Sequence, residues 1–226
     1  MRGGIEFHSH TPCESQPFDD DRFDLVTSQF GFEYSDIERS LPEIRRVLKV
    51  DGRFVAISHH LDSDLIKAAI VEVELYERAL DELDLFGSLR NYTEAMGELD
   101  GEQSAVAEKI SKAAPLAAGL LKKVKDFREQ YPDEELCREI VDAVSRLAKP
   151  QYASSADRIT VVDAAEKDFG FARARLQDMA QAAISQENIE LFSVMAKEAG
   201  FDSVHCLKLY GDDQGLAGWQ IHLGSA

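Results

Sequence analysis

The chain has 226 residues, 44% of them hydrophobic and 30% charged, a balance that excludes disordered, fibrous and low-complexity classes and fits one large domain or a domain with an insertion. Asp and Glu outnumber Lys and Arg by 42 to 25, and the formal charge of −17 repels phosphate backbones and anionic lipid, so neither nucleic acid nor a membrane surface is an expected partner. Cys13, Cys137 and Cys206 are scattered without a CxxC pair, and no apolar run approaches the roughly 18–20 residues of a bilayer span, so a reducing, cytoplasmic setting without zinc site, signal peptide or anchor is expected.

The start reads as strand, loop, strand, helix, strand. Ile5-Glu6-Phe7-His8-Ser9-His10 alternates apolar with polar before Thr11-Pro12, which predicts a short strand. Phe23-Asp24-Leu25-Val26-Thr27 follows the acidic turn Asp19-Asp20-Asp21 as a second strand, with Ser28, Gln29 and Phe30 in its loop. Ser40, with Pro42 in the first turn and Glu43 three residues on, has the form of a capping box that satisfies free backbone N–H groups. Leu41, Ile44, Val47 and Leu48 then share a helical face, and Lys49 with Asp51-Gly52 is expected to end the helix. Arg53-Phe54-Val55-Ala56-Ile57-Ser58 is a near-continuous apolar run, predicting a central strand covered on both faces.

Residues 61–187 change to helical spacing throughout, apart from a weak strand signal at Ile159-Thr160-Val161-Val162. Breaks are expected at Gly87, Gly97 to Gly101, Tyr131-Pro132-Asp133 and Lys149-Pro150. In the tail, Asn188 or Ser185 can cap a helix that stops at Ala199-Gly200 in the manner of a glycine cap. Phe201 to Tyr210 and Gly218 to Leu223, joined by the turn Gly211 to Gly215, predict an antiparallel hairpin in which Trp219, Ile221 and Leu223 face inward.

Three runs carry a family likeness: Glu14-Ser15-Gln16-Pro17-Phe18, Phe23-Asp24-Leu25-Val26-Thr27-Ser28-Gln29-Phe30 and Arg46-Val47-Leu48-Lys49-Val50-Asp51-Gly52-Arg53-Phe54-Val55. In order and spacing they resemble the middle motifs of class I S-adenosylmethionine-dependent methyltransferases, and the closing helix, Ala199-Gly200-Phe201 and hairpin are similar to the last elements of that family. The resemblance implies an α/β fold: a Rossmann-like methyltransferase sheet, incomplete at its N-terminus, with an antiparallel C-terminal hairpin and a large all-helical insertion. Residues 1–60 and 188–226 would form the core, and 61–187 a lid or dimerisation region.

By the same resemblance, the loop Thr11-Pro12-Cys13-Glu14 lies against the adenine of S-adenosylmethionine and Ser28-Gln29-Phe30 near its methionine end. Tyr34, His59 and His60 face a small-molecule methyl acceptor. His59 or His60 is the candidate base, since imidazole titrates near neutral pH. His8, His10, His59 and His60 also fall near strand ends, but no spaced set joins them to the cysteines and no metal is expected.

Two family features are altered, the acidic residue expected at Pro12 and the Pro-Gly pair expected at Val50-Asp51. No Gly-x-Gly-x-Gly loop sits between a strand and a helix, and no second strand ends in an acidic residue for the ribose hydroxyls. By the resemblance, the chain is expected to start, in effect, at the family's third strand, with Gly3-Gly4 not replacing the loop. Two readings follow: methyl transfer impaired by the missing cradle, or a non-catalytic methyltransferase remnant that binds a partner or a second copy as a homodimer. For the first, the helical insertion is expected to line the acceptor pocket with Tyr76, Phe86, Tyr92, Tyr152, Phe169 and Phe171.

Overall fold

A computed structural model describes residues 4–99, 102–149, 154–212 and 214–224. Two compact units divide the chain, Met1–Ala69 with Asp178–Ala226, and Ile70–Gln177.

The first unit is a mixed α/β layer. Strand β1 (Phe23–Gln29), helix α1 (Ile37–Val47) and strand β2 (Leu48–Ser58) make a βαβ unit with β1 and β2 parallel. Helix α2 (Asp64–Glu77) begins here and continues into the second unit. Helix α7 (Gln186–Glu198), β3 (Ser203–Tyr210) and β4 (Leu216–Gly224) complete it, giving strand order β1-β2-β4-β3 with both β4 pairings antiparallel. The four-stranded sheet with its parallel βαβ unit and terminal antiparallel pair is a Rossmann-like methyltransferase arrangement.

Leu41 and Ile44 of α1 and Ile189, Phe192 and Ala196 of α7 pack on one sheet face, against Phe54, Ala56, Trp219, Ile221 and Leu223. The apolar positions of α1 recur at helical spacing and those of β4 at every second residue, so each element offers one buried side. On the other sheet face Val55 and Ile57 are half-buried, and Leu25 and Leu207 exposed, so the two-sided cover read from the run Arg53 to Ser58 is not found.

Several local expectations are corrected. Ile5 to His10 forms no strand, and Ile5 and Phe7 are exposed, because no strand among the described residues takes its backbone hydrogen bonds. Helix α1 starts four residues before the capping box: Asp36 is the N-cap, accepting from the Arg39 N–H, and Ser40 is buried within the helix, bonded to Ser35. Glu43 instead accepts from the Gln16 N–H and from Arg46.

The Asp51-Gly52 turn is a bulge inside β2. Between Phe23 opposite Leu48 and Leu25 opposite Arg53, β2 advances five residues while β1 advances two. A Cβ on Gly52 would stand 2.9 Å from the Lys49 carbonyl, which is why glycine suits the tight path. The end of α7 follows the expectation. Ser185 caps it by accepting from the Asn188 N–H, and Gly200 at φ +94 closes it, with Gly200 N–H on the Lys197 carbonyl and Phe201 N–H on the Ala196 carbonyl.

The second unit is helical. After α2, a π-helical turn (Arg78–Glu82) leads to α3 (Leu85–Met96), α4 (Gln103–Gln130), α5 (Glu135–Leu147) and α6 (Ser155–Ala182), whose last turns re-enter the first unit. Leu75, Leu85, Leu89, Phe127, Ile140 and Val144 are its core. The weak strand signal at Ile159 to Val162 is overridden by helix α6.

Gly87 breaks nothing. It is buried inside α3, where a Cβ would meet the Asp84 carboxylate at 2.1 Å. Tyr76, Phe86 and Tyr92 are buried in this core and Phe169 packs on Phe86 and Tyr76, whereas Phe171 is exposed beneath Lys167. Tyr152, Pro150, Gly101, Asp213 and Gly3 lie outside the described residues. Among the described residues no helix is long and apolar enough to cross a membrane.

Candidate functional site

Strands β1 and β2 run parallel, so the loops leaving their carboxyl ends diverge side by side, the usual place for a ligand in an open α/β sheet. Phe30 follows β1 with φ +52, a conformation uncommon for a bulky side chain, and its N–H extends the ladder to the Ile57 carbonyl. Ser28 Oγ accepts from the Phe32 N–H at 2.9 Å, starting the 3-10 turn Phe32–Tyr34. That turn aims Glu33 inward.

Glu33 is buried, and one of its oxygens takes two hydrogen bonds from a single residue. Oε1 accepts from the His59 backbone N–H at 3.0 Å and lies 2.7 Å from His59 Nδ1. A carboxylate oxygen only accepts, so the Nδ1 proton is held on the imidazole and Nε2 is left as the basic nitrogen. The Glu33 Oε2 atom is buried without a hydrogen-bond partner among the described residues. Phe30 packs on the His59 ring at 4.6 Å between centroids, and Tyr34 meets it edge-on at 6.1 Å. Phe30 and Tyr34 remain 38% and 48% exposed, giving an aromatic surface beside a buried carboxylate–histidine pair. Burial, ahead of Glu33 and Asp178, pushes the Tyr34 phenol up.

His60 is placed differently. It is fully buried and stacked on Trp219 at 4.5 Å, and Nδ1 accepts from the Asp62 N–H. Its Nε2 has no partner among the described residues. Burial first, then the Lys208 and Lys67 charges, hold its pKa below the usual imidazole value against the pull of Asp62. Ile184 pins this end of β2: its N–H bonds the His59 carbonyl, and its carbonyl accepts from Leu61 N–H and Trp219 Nε1.

The Thr11–Glu14 loop is tied to the start of α1 rather than to the imidazole. Glu14 accepts from the Asp36 N–H at 2.7 Å, chiefly for which its carboxyl stays below the usual range. The Pro12 carbonyl accepts from Ser15, Thr11 Oγ1 donates to the Ser9 carbonyl, and burial, then Glu14, push the Cys13 thiol up. Arg46 gathers the following loop, donating to the Phe18 and Gln16 carbonyls and to Asp20 and Glu43. A cavity of about 520 Å³ is lined by Phe7, His8, Ser9, His10, Thr11 and Ser15 to Pro17.

The structure therefore brings Phe30, Tyr34 and His59 together, with Ser28 supporting the turn. Gln29 stays in the strand ladder opposite Ile57. No described contact joins Thr11, Pro12 or Cys13 to that group. Glu33 and Trp219 were missed as site residues. Glu33 sits beside Tyr34, already a candidate, and an acid between two aromatic residues after a strand was the available signal. Among the described residues no group of three or more His, Cys, Asp or Glu side chains is disposed to hold a metal ion.

Against S-adenosylmethionine, the described residues make part of a site. Phe30 and Tyr34 offer aromatic surface, and the Thr11 loop borders the cavity of about 520 Å³. No strand precedes β1 among them, so no glycine-rich turn cradles the middle, and Gly4 has nothing within 4 Å of its Cβ position. The fit is incomplete.

The comparisons with known proteins concern the same segment. Residues 3–56 match a family model described as a methyltransferase domain. The chain is 42% identical over 61 residues to the uncharacterized methyltransferase YcgJ of Bacillus subtilis (strain 168), covering 26% of this chain and 24% of that protein. It is 37% identical over 66 residues to the mitochondrial 2-methoxy-6-polyprenyl-1,4-benzoquinol methylase of Rattus norvegicus, covering 29% and 20%. To the Homo sapiens protein of that name it is 47% identical over 46 residues, covering 20% and 14%.

The stretches matched thus span a quarter or less of these curated relatives. These likenesses are to methyltransferases, and the matched domain falls on the N-terminal segment that carries the motif resemblance. The family match contains Phe30, Glu33 and Tyr34 and ends three residues before His59.

Proposed function

We propose that this chain acts in S-adenosylmethionine-dependent methyl transfer to a small-molecule acceptor bearing a hydroxyl group, with His59 as general base and Glu33 as its positioning partner. The observation that carries the reading is the buried Glu33–His59 pair at the carboxyl end of β2, beside the methyltransferase-matching loop of β1. S-Adenosylmethionine, when bound, supplies an electrophilic methyl group. The chain's own part is to hold the acceptor and receive its proton.

Nε2 of His59 accepts the hydroxyl proton while Glu33 keeps Nδ1–H in place and balances the imidazolium. A carboxylate acceptor needs no base and a hydroxyl does, which is why the pair favours the latter. Phe30 and Tyr34 offer flat apolar walls on which a ring-bearing acceptor stacks. His60, with Nδ1 engaged and Nε2 buried, supports the strand end through Trp219 rather than moving a proton.

The edge of β1, unpaired among the described residues, favours a second reading, a non-catalytic methyltransferase remnant that binds a partner. Losing two or three charge-assisted hydrogen bonds of roughly 1.5–3 kcal/mol each weakens cofactor affinity by several orders of magnitude. The test is calorimetric titration with S-adenosylmethionine, alongside transfer of labelled methyl to a panel of phenols, alcohols and carboxylates. Weak binding, with slow transfer to hydroxyl acceptors that is lost in His59→Gln, is expected. Full transfer by His59→Gln removes the base assignment, and absence of any adenosyl binding favours the remnant.

A further inference from the structure

The sheet face turned away from α1 and α7 carries a second cluster, reached from β2 at its midpoint, away from the His59 end. His205 of β3 and His222 of β4 are directly opposite in the antiparallel ladder. Residues alternate faces along a strand, so His222 shares its face with Val55, its partner on β2, and Arg53 stands on that same face two residues before Val55. Arg53 is thus the diagonal neighbour of His222, within reach of a long side chain. Ser203 completes the row, paired with Gly224, which is itself opposite Arg53. Six residues of strand, about 20 Å, separate Arg53 from His59.

These residues line a cavity of about 380 Å³, with Leu207 as its apolar wall. No acidic side chain lines it. Among the described residues no ion pair or hydrogen bond engages the side chains of Arg53, His205 or His222, although the chain carries a net charge of −17. By contrast Arg46, Arg78, Arg90 and Arg173 are each tied to carboxylates. The guanidinium offers a planar fork, both imidazoles offer an N–H in either protonation state, and Ser203 offers a hydroxyl. That donor set, with no carboxylate among it, is suited to a compact oxyanion.

The geometry points to a binding site for a phosphate group at Arg53, Ser203, His205 and His222. The cavity exceeds the size of inorganic phosphate and falls at the low end of small-ligand pockets, and its wall is apolar at Leu207, so the occupant is the phosphate end of a small organic monoester. The site is separate from the Glu33–His59 pair and does not depend on the proposed methyl transfer.

The experiment is a titration of the full chain, at fixed pH and constant ionic strength, with inorganic phosphate in one arm and phenyl phosphate in the other. It is followed through the ring-nitrogen resonances of the histidines. Saturable shifts of His205 and His222, with His59 and His60 unmoved, are expected, with phenyl phosphate the tighter ligand. Arg53→Gln, an exposed position whose variant is checked for an unchanged melting temperature, should weaken binding tenfold or more, and His205→Gln severalfold. Equal affinity in the two arms supports the phosphate site while assigning it to free phosphate. Shifts that do not saturate, that involve every histidine alike, or that persist in Arg53→Gln overturn it.

Discussion

Glu33 Oε1 stands 2.7 Å from His59 Nδ1 and 3.0 Å from the same residue's backbone nitrogen, so one carboxylate oxygen fixes both the ring and the chain direction of His59. Removing it as Glu33→Ala leaves two buried donors without an acceptor, at about 1–3 kcal/mol each. Relief from burying Glu33, whose Oε2 is unpartnered, offsets part of this. Urea unfolding should show a loss of roughly 2–4 kcal/mol for Glu33→Ala and less for Glu33→Gln, whose amide oxygen can still accept. Any methyl transfer should fall by about a hundredfold or more in both variants. Equal stability of Glu33→Ala and the native chain would show that the pair does not hold His59.

His60 makes folding depend on pH. Its folded pKa lies below the ordinary value of about 6.5, so as pH falls the unfolded chain takes up the proton first. The stabilisation is therefore complete above about pH 6.5 and is lost as pH drops from there toward the folded value. Between pH 7.5 and 5.5 the carboxylates whose pKa is lowered, such as Glu43, are still ionised, so that window isolates the histidine contribution. Urea midpoints should fall across it, and fall less in His60→Gln, whose side chain can still accept from Asp62. An identical slope in the variant would assign the effect elsewhere.

Much of the sheet was legible because its signals are local. The pattern of Trp219, Ile221 and Leu223, the cap at Ser185 and the glycine at Gly200 each act within a few residues, and each stands in the fold where the pattern placed it. Ile5 to His10 has the alternation of a strand, but a strand needs a neighbour, and that requirement is not written in the segment itself. Ser40 lost the capping role to Asp36 because both residues meet the chemical requirement and tertiary contacts decided; Glu43 was drawn to Arg46 and Gln16 instead.

The site was legible in part for the same reason. Phe30, Tyr34 and His59 occupy strand ends that motif order can locate, whereas Glu33 meets His59 only through a contact across 26 residues. A single sequence carries no signal for that partnership.

Gly218 and Gly119 test the reading of space from opposite sides. A Cβ at Gly218 would come within 2.5 Å of the Ser58 carbonyl, at the junction that carries His59, and backbone must move to admit it. Gly218→Ala should cost roughly 1–3 kcal/mol. Gly119, inside α4 with nothing within 4 Å, has room and only conformational freedom to lose. Gly119→Ala should stabilise by about 0.5–1 kcal/mol. Melting shifts of the same sign in both variants would contradict this contrast.

Arg46 holds the segment from Gln16 to Asp20 by three hydrogen bonds, to the Gln16 and Phe18 carbonyls and the Asp20 carboxylate, and makes two more to Glu43; the two carboxylates raise its pKa further. Arg46→Met keeps the stem and removes the fork. Limited proteolysis followed by mass spectrometry should then show faster cleavage between Gln16 and Arg22, with α1 intact. An unchanged cleavage pattern would mean that the aromatic contacts of Phe18 with His8 and Phe23 suffice to hold the segment.

Strand β1 pairs with β2 on one side and, among the described residues, with nothing on the other, and Leu25 on it is 54% exposed. Such an edge offers free backbone donors and acceptors to a second chain, and homodimer formation through it is the expected outcome. The charge of −17 opposes the approach of two copies, and since added salt shortens the reach of that repulsion, association should strengthen between low and moderate ionic strength. Sedimentation velocity should show a concentration-dependent dimer in moderate salt, and Leu25→Lys, which places a charge on the edge, should shift the population to monomer. A single monomeric species at high concentration and moderate salt would leave the edge without the partner its exposed backbone invites.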